Sequence, residues 1–198
     1  MTPTPDPAGV ALELARALEA AGIPCAIGGS IALGLWGVPR GTKDADLNAF
    51  VGEDRYEELL TTLEAAGCRG PDDAPWTPAL RAAFLRQARE GDTAIVWRSG
   101  FRVDVFVPSI PFYAEAAATV RRVDIEGQPV PVLSPEALSV FKLLFFRDKD
   151  LVDLRRLVAR QGAHLDADYV RERLIEMVGD DDDRIAAWAA IVREHGSS

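Results

Sequence analysis

The run Asp44-Ala45-Asp46-Leu47-Asn48-Ala49-Phe50 constrains this chain more than any other stretch. Polar and apolar residues alternate along it, and the side chains of a β-strand point alternately to opposite faces. A strand over 45–51 turns Ala45, Leu47 and Ala49 into a core and sets Asp44, Asp46, Asn48 and Phe50 on the other face. Such a strand belongs at the border between a packed interior and an open cleft. The segment 101–107 has the same design: Phe101, Val103, Val105 and Val107 share one face, and Asp104 takes the opposite one. Laid side by side, the two strands bring Asp104 next to Asp44 and Asp46. Three carboxylates at close range repel one another unless a cation neutralises them. Hard oxygen ligands of this kind suit Mg²⁺, which typically takes one or two carboxylates together with substrate phosphates.

A second ingredient lies upstream. The apolar segment 23–27 reads as a short strand that runs straight into Gly28-Gly29-Ser30, and a short helix over 31–36 follows. Glycines between a strand and a helix let backbone approach a phosphate closely, where the helix start offers unpaired N–H groups. Ser30 also reads simply as the N-cap of that helix. Thirteen residues separate Ser30 from Asp44, and the loop between them carries Arg40, placed to meet a polyphosphate or to be solvated, and Thr42 and Lys43, which read as positional.

The rest of the chain supplies the frame. Residues 1–7 read as a proline-rich disordered leader, and Val10, Leu14 and Leu18 recur at helical spacing until Gly22 stops the run. Asp54 with Glu57 three residues later reads as a capping box for a helix bearing Tyr56, Leu59, Leu60 and Leu63. Thr77-Pro78 opens a further helix through Arg89. Strands over 93–97 and 101–107 join through Arg98-Ser99-Gly100 as a hairpin, and strands over 121–125 and 129–132 form a second pair. From Ser134-Pro135 onward the pattern is helical, with helices expected near 135–147, 150–160, 167–178 and 183–194. The organisation is an α/β core over 8–133 followed by a helical subdomain over 134–198.

Composition sets outer limits. The 198 residues, 48% hydrophobic and 27% charged, are enough for one domain with a sizeable core. With 22 Lys and Arg against 31 Asp and Glu, the net charge of −9 argues against a protein that coats nucleic-acid backbone, though not against a local basic groove. Cys25 and Cys68 lie far apart and read as reduced core thiols. No apolar run approaches the roughly 20 residues of a membrane span, and the first residues lack a signal-peptide pattern, so a cytoplasmic protein is expected.

Taken together, Gly28-Gly29-Ser30, Asp44-Ala45-Asp46-Leu47 and Val103-Asp104-Val105 resemble the nucleotidyltransferase superfamily of DNA polymerase β type: a Gly-Ser turn, an Asp-x-Asp on the next strand and a third carboxylate on a later strand. The stretch Arg40-Gly41-Thr42-Lys43-Asp44-Ala45-Asp46-Leu47 resembles the Arg-x-Thr-x-Asp-x-Asp-Leu run of bacterial branches, which include abortive-infection toxins of the AbiEii kind and aminoglycoside nucleotidyltransferases. Lys142-Leu143-Leu144 and Asp150-Leu151-Val152-Asp153 resemble the toxins' two C-terminal motifs, and the likeness spans roughly residues 10–160.

The resemblance implies an α+β fold with a mixed central sheet flanked by helices. It implies transfer of a nucleoside monophosphate from a nucleoside triphosphate to an acceptor hydroxyl, with release of pyrophosphate. Asp44, Asp46 and Asp104 would hold two Mg²⁺ ions, Asp104 taking the acceptor proton. Gly28, Gly29, Ser30, Arg40, Lys142, Asp150 and Asp153 would serve the nucleotide. The two C-terminal motifs favour an RNA-acting toxin. An antibiotic-modifying enzyme, whose cationic acceptor would suit an acidic chain, is the first alternative; a non-catalytic nucleotide-binding toxin or antitoxin partner is the second. The Asp-x-Asp of glycosyltransferases is a more distant rival, since that fold needs a longer chain and no Gly-Gly-Ser turn. On structural grounds alone, Asp150 reads as the N-cap of a helix from Leu151 with Asp153 at its third position, and Lys142 as a lysine seeking a phosphate or carboxylate partner.

Overall fold

The computed structural model describes residues 5–125 and 127–196. Its centre is a six-stranded mixed sheet in the order β3-β4-β2-β1-β6-β5. The strands are β1 (Cys25–Ile27), β2 (Asp44–Ala49), β3 (Thr93–Arg98), β4 (Phe101–Phe106), β5 (Arg121–Ile125) and β6 (Gln128–Val132). β2 runs antiparallel to β1 and parallel to β4, while β1 and β6 are parallel. Hairpins β3–β4 and β5–β6 close the two edges.

Helices cover both faces. On one side lie α1 (Pro7–Ala20), α3 (Tyr56–Ala65) and α4 (Pro78–Glu90). Their Leu14, Leu18, Leu59, Leu63 and Phe84 pack against Ala45, Leu47, Ala49, Val96, Val103 and Val105 of the sheet. Each fully buried Leu or Phe contributes about 1.5–3 kcal/mol of transfer free energy, so this face anchors β2 and β4. On the other side, α2 (Gly29–Leu35), α5 (Phe112–Ala118) and the C-terminal helices α6 (Pro135–Phe145), α7 (Asp148–Gln161), α8 (Ala167–Val178) and α9 (Asp183–His195) form a second core. Ala26 and Val132 from the sheet meet Leu138, Leu143, Leu154 and Trp188 there.

Local signals explain most boundaries. Pro7 sits at the first position of α1 and the Asp6 carboxylate accepts from Gly9 N at 2.7 Å. The expected leader is thereby corrected at its end, because Asp6 and Pro7 are drawn into the helix; residues 1–4 lie outside the described residues. Thr77 caps α4 as expected, accepting from Leu80 N at 3.2 Å. Asp182 caps α9 through Arg184 N at 2.9 Å.

Elsewhere the chain departs from expectation. The capping box at Asp54 does not form: Glu53–Arg55 makes a 3₁₀ turn and α3 starts only at Tyr56, behind Arg55, which has no side-chain cap. Helix α5 goes beyond the expected elements, being short and without a polar cap behind Pro111. Phe146, in the left-handed region, ends α6 two residues early and lets α7 begin at Asp148. None of the described helices is long and apolar enough to cross a membrane.

Candidate active site

Where β1 ends, Gly28 N donates to Asp46 O at 2.9 Å, tying the turn to β2. Gly29 follows with φ +53, and a Cβ there would lie 1.9 Å from Asp46 Oδ2. Only glycine permits that backbone conformation and that approach to a carboxylate. The helix starts at Gly29 with Gly28 as its cap, so Ser30 is not the N-cap; buried at 6% exposure, it lines the cleft instead.

The alternation of β2 holds throughout. Ala45, Leu47 and Ala49 are fully buried, and Asp44, Asp46 and Asn48 line a cleft of about 370 Å³ on the opposite face. The parallel pairing with β4 sets Asp46 directly opposite Asp104. Thr42 Oγ1 donates to Asp44 Oδ1 at 2.6 Å, which orients that carboxylate. Burial pushes the Asp46 carboxyl up to about 6, with Asp44 and Asp104 adding to the rise and Lys142 and Lys149 opposing it. Asp104 itself is engaged: Arg102 Nε donates to its Oδ1 at 2.7 Å. Sequence reasoning missed Arg102, although the same alternation that faces Asp104 to the cleft also faces Arg102 and Phe106 there.

The remaining candidates form a neighbouring wall. Lys142 Nζ, on α6, donates to Asp153 Oδ2 at 2.7 Å and to Asp150 Oδ1 at 3.3 Å, and all three side chains are buried. Arg40 reaches over from the loop before β2 to within 3.2 Å of Asp153 Oδ1. Arg147 Nε donates to Asp150 Oδ2 at 2.6 Å. Asp150 is therefore the third residue of α7, its side chain turned back to Arg147, rather than the expected N-cap. Burial raises the Asp150 carboxyl, but the bond from Arg147 and the charge of Lys142 outweigh it and hold the group below its ordinary range. Asp150 reaches the cleft wall, while Asp153 stands behind Lys142 and outside the lining.

Five cations (Arg40, Arg102, Lys142, Arg147, Lys149) and four carboxylates (Asp44, Asp46, Asp104, Asp150) line the cleft. The cleft of an acidic chain thus gathers cations and carboxylates in near balance, with Lys149 making no salt bridge among the described residues and Asp44, Asp46 and Asp104 clustered on the β2–β4 face. Tyr113, Phe141 and Phe145 form a shared wall with a second cavity of about 610 Å³, lined also by Asp92 and by Glu115 and Glu176, both of which pair with Arg173.

Residues 10–157 match the aminoglycoside-2''-adenylyltransferase family. Among solved structures, the chain is similar to the antibiotic-resistance factor ANT(2'')-Ia in solution (19% identity over 92% of this chain and 95% of that one, TM-score 0.54). It is similar also to crystalline ANT(2'')-Ia in complex with adenylyl-2''-tobramycin (17% identity over 94% and 97%, TM-score 0.55). An antigenic nucleotidyltransferase-like protein from Paracoccidioides brasiliensis aligns at 22% identity over 92% of each chain, with a TM-score of 0.46. Among curated proteins nothing matches the chain. The two ANT(2'')-Ia structures share the fold described above, and the family match covers the turn, both acidic strands and the start of the helical subdomain: the chain belongs to the aminoglycoside-2''-adenylyltransferase family of nucleotidyltransferases.

Proposed function

We propose that the protein moves a nucleoside monophosphate from ATP or another nucleoside triphosphate to a hydroxyl of a cationic aminoglycoside. The observation that carries this reading is the meeting of Asp44 and Asp46 with Asp104, in register on β2 and β4, beside the Gly28-Gly29-Ser30 turn. Family membership supports the acceptor, as does the net charge of −9.

The residues fit a divalent cation. Their donors are hard oxygens, and burial and the like charges of Asp44 and Asp104 outweigh Lys142 and Lys149 in holding Asp46 up to about 6. Asp44 and Asp46, with Asp104, would hold Mg²⁺, two ions in the full assembly, which would supply charge stabilisation at the phosphates and the acceptor oxygen. The turn at Gly28, Gly29 and Ser30 orients the β- and γ-phosphates, and Arg40 and Lys149 at the rim offset the charge of the departing pyrophosphate. Asp104 accepts the proton of the acceptor hydroxyl, which is carried off as the new phosphoester bond forms and the α–β phosphoanhydride breaks. Lys142 serves by fixing Asp150 and Asp153 rather than by gripping phosphate.

The RNA-acting toxin reading rested on Lys142, Asp150 and Asp153. Those three groups satisfy one another in the interior, so the motif accounts for packing without a nucleic acid. A screen separates the readings: α-labelled nucleoside triphosphates with Mg²⁺, offered aminoglycosides, total RNA or candidate protein partners in turn. The label is expected on an aminoglycoside. Label on RNA alone overturns the acceptor, and nucleotide binding with no transfer points to a non-catalytic partner.

A further inference from the structure

Arg102 has no place in the chemistry above, yet it touches one of the three carboxylates directly. The alternation of β4 puts it on the cleft face two residues before Asp104, across from Asp44 in the parallel pair. Its Nε–Asp104 Oδ1 bond of 2.7 Å joins a guanidinium that is 47% exposed to a carboxylate that is 14% exposed. The arginine thus reaches in from solvent and covers the third acid. Asp44 and Asp46 add to the field that holds it there. Asp44 takes a neutral hydroxyl from Thr42 instead. Asp44, Asp46 and Asp104 are near neighbours in the sheet. Among the described residues Asp44 and Asp46 make no salt bridge, whereas Asp104 is held by Arg102.

We propose that Arg102 is the resting counter-ion of Asp104, a positioning residue that withholds the third carboxylate from the cation-binding set until the guanidinium is displaced. A guanidinium and a divalent ion compete for the same oxygen, and arginine stays charged at any working pH. An exposed ion pair is weak, so Arg102 sets the order of loading rather than blocking it. Asp44 and Asp46 would hold a divalent ion without displacing a salt bridge, whereas Asp104 would reach it only with Arg102 turned away from its carboxylate. The inference rests on the metal reading of the three aspartates.

The test is calorimetric titration of Mn²⁺ into the full chain without nucleotide, for the parent, Arg102→Gln, Asp104→Asn and the double variant. Removing the competitor should tighten Mn²⁺ binding about three- to fivefold, the range that a half-exposed ion pair supplies. In the Asp104→Asn background that gain should vanish, because Arg102 acts through Asp104. An Arg102→Gln affinity equal to the parent's overturns the proposal. So does a gain that persists undiminished beside Asp104→Asn, which would mark a general field effect. If the parent binds no Mn²⁺, or binds it unaffected by Asp46→Asn, the metal reading itself fails and this inference with it.

Discussion

Gly29 shows how a single missing carbon can define a site. Its φ of +53 and the 1.9 Å separation of a hypothetical Cβ from Asp46 Oδ2 leave no room for any other residue. Gly29→Ala should cost roughly 1–2 kcal/mol from the backbone conformation alone, with a further loss as Asp46 is pushed aside. Denaturant unfolding and nucleotide titration should both register it, and a variant that binds and unfolds like the parent would refute the close approach. Asp46 carries a pH signature. Its folded pKa of about 6 lies above the ordinary carboxylate value of 3.8, so the folded state without metal binds its proton more readily than the unfolded one. Stability from this group is greatest at low pH and is lost as pH rises from about 4 through about 6, a penalty of at most about 3 kcal/mol at neutral pH. Asp46→Asn should abolish transfer yet melt no lower than the parent at pH 7.5 without metal. A large fall in Tm would make Asp46 a structural residue.

At the scale of elements, β2 and β4 were legible because period 2 is unambiguous when one face is wholly apolar and the other bears carboxylates. That Asp104 would lie near the pair followed from laying the strands side by side, but their parallel direction and the Asp46–Asp104 register came only with the fold. The same rule contained Arg102, but a lone arginine on a strand carries no chemical signal until its partner is seen. Helix ends were less legible. Asp54 could cap a helix by spacing, yet a 3₁₀ turn intervened, and Asp150 sits at the third position of α7, accepting from the Arg147 backbone N–H and side chain and from buried Lys142. The α6–α7 pair depends on that network. Lys142→Met should destabilise by about 3 kcal/mol, because it leaves Asp150 and Asp153 buried with only Arg40 and Arg147 to compensate. Adding Asp153→Asn should restore some of the loss. Equal stability of parent and Lys142→Met would show that the three charges contribute no net binding between the helices.

At the scale of the whole molecule, the change from an α/β to a helical pattern near residue 133 does not mark a boundary between separate cores. Ala26 and Val132 pack with Leu138, Leu143 and Leu154, and Trp36 Nε1 donates to Leu133 O at 2.8 Å. We propose that residues 8–133 and 134–198 differ in pattern yet fold as one unit. A fragment ending at 133 should show no cooperative thermal transition; a sharp one would divide the chain where the pattern changes. Net charge likewise described the chain and not the cleft, since the cations at the rim come from the loop before β2, from β4 and from α6–α7, and gather only on folding. We propose that Asp44, Asp46 and Asp104 perform nucleotidyl transfer with divided roles. Nucleotide titration in Mg²⁺ alongside a transfer assay from labelled ATP to an aminoglycoside, for Asp44→Asn and Asp104→Asn, separates those roles. Asp104→Asn should bind the nucleotide nearly as the parent does while losing about 10²–10⁴-fold in transfer, and Asp44→Asn should lose both. Near-parental transfer by Asp104→Asn would contradict the account.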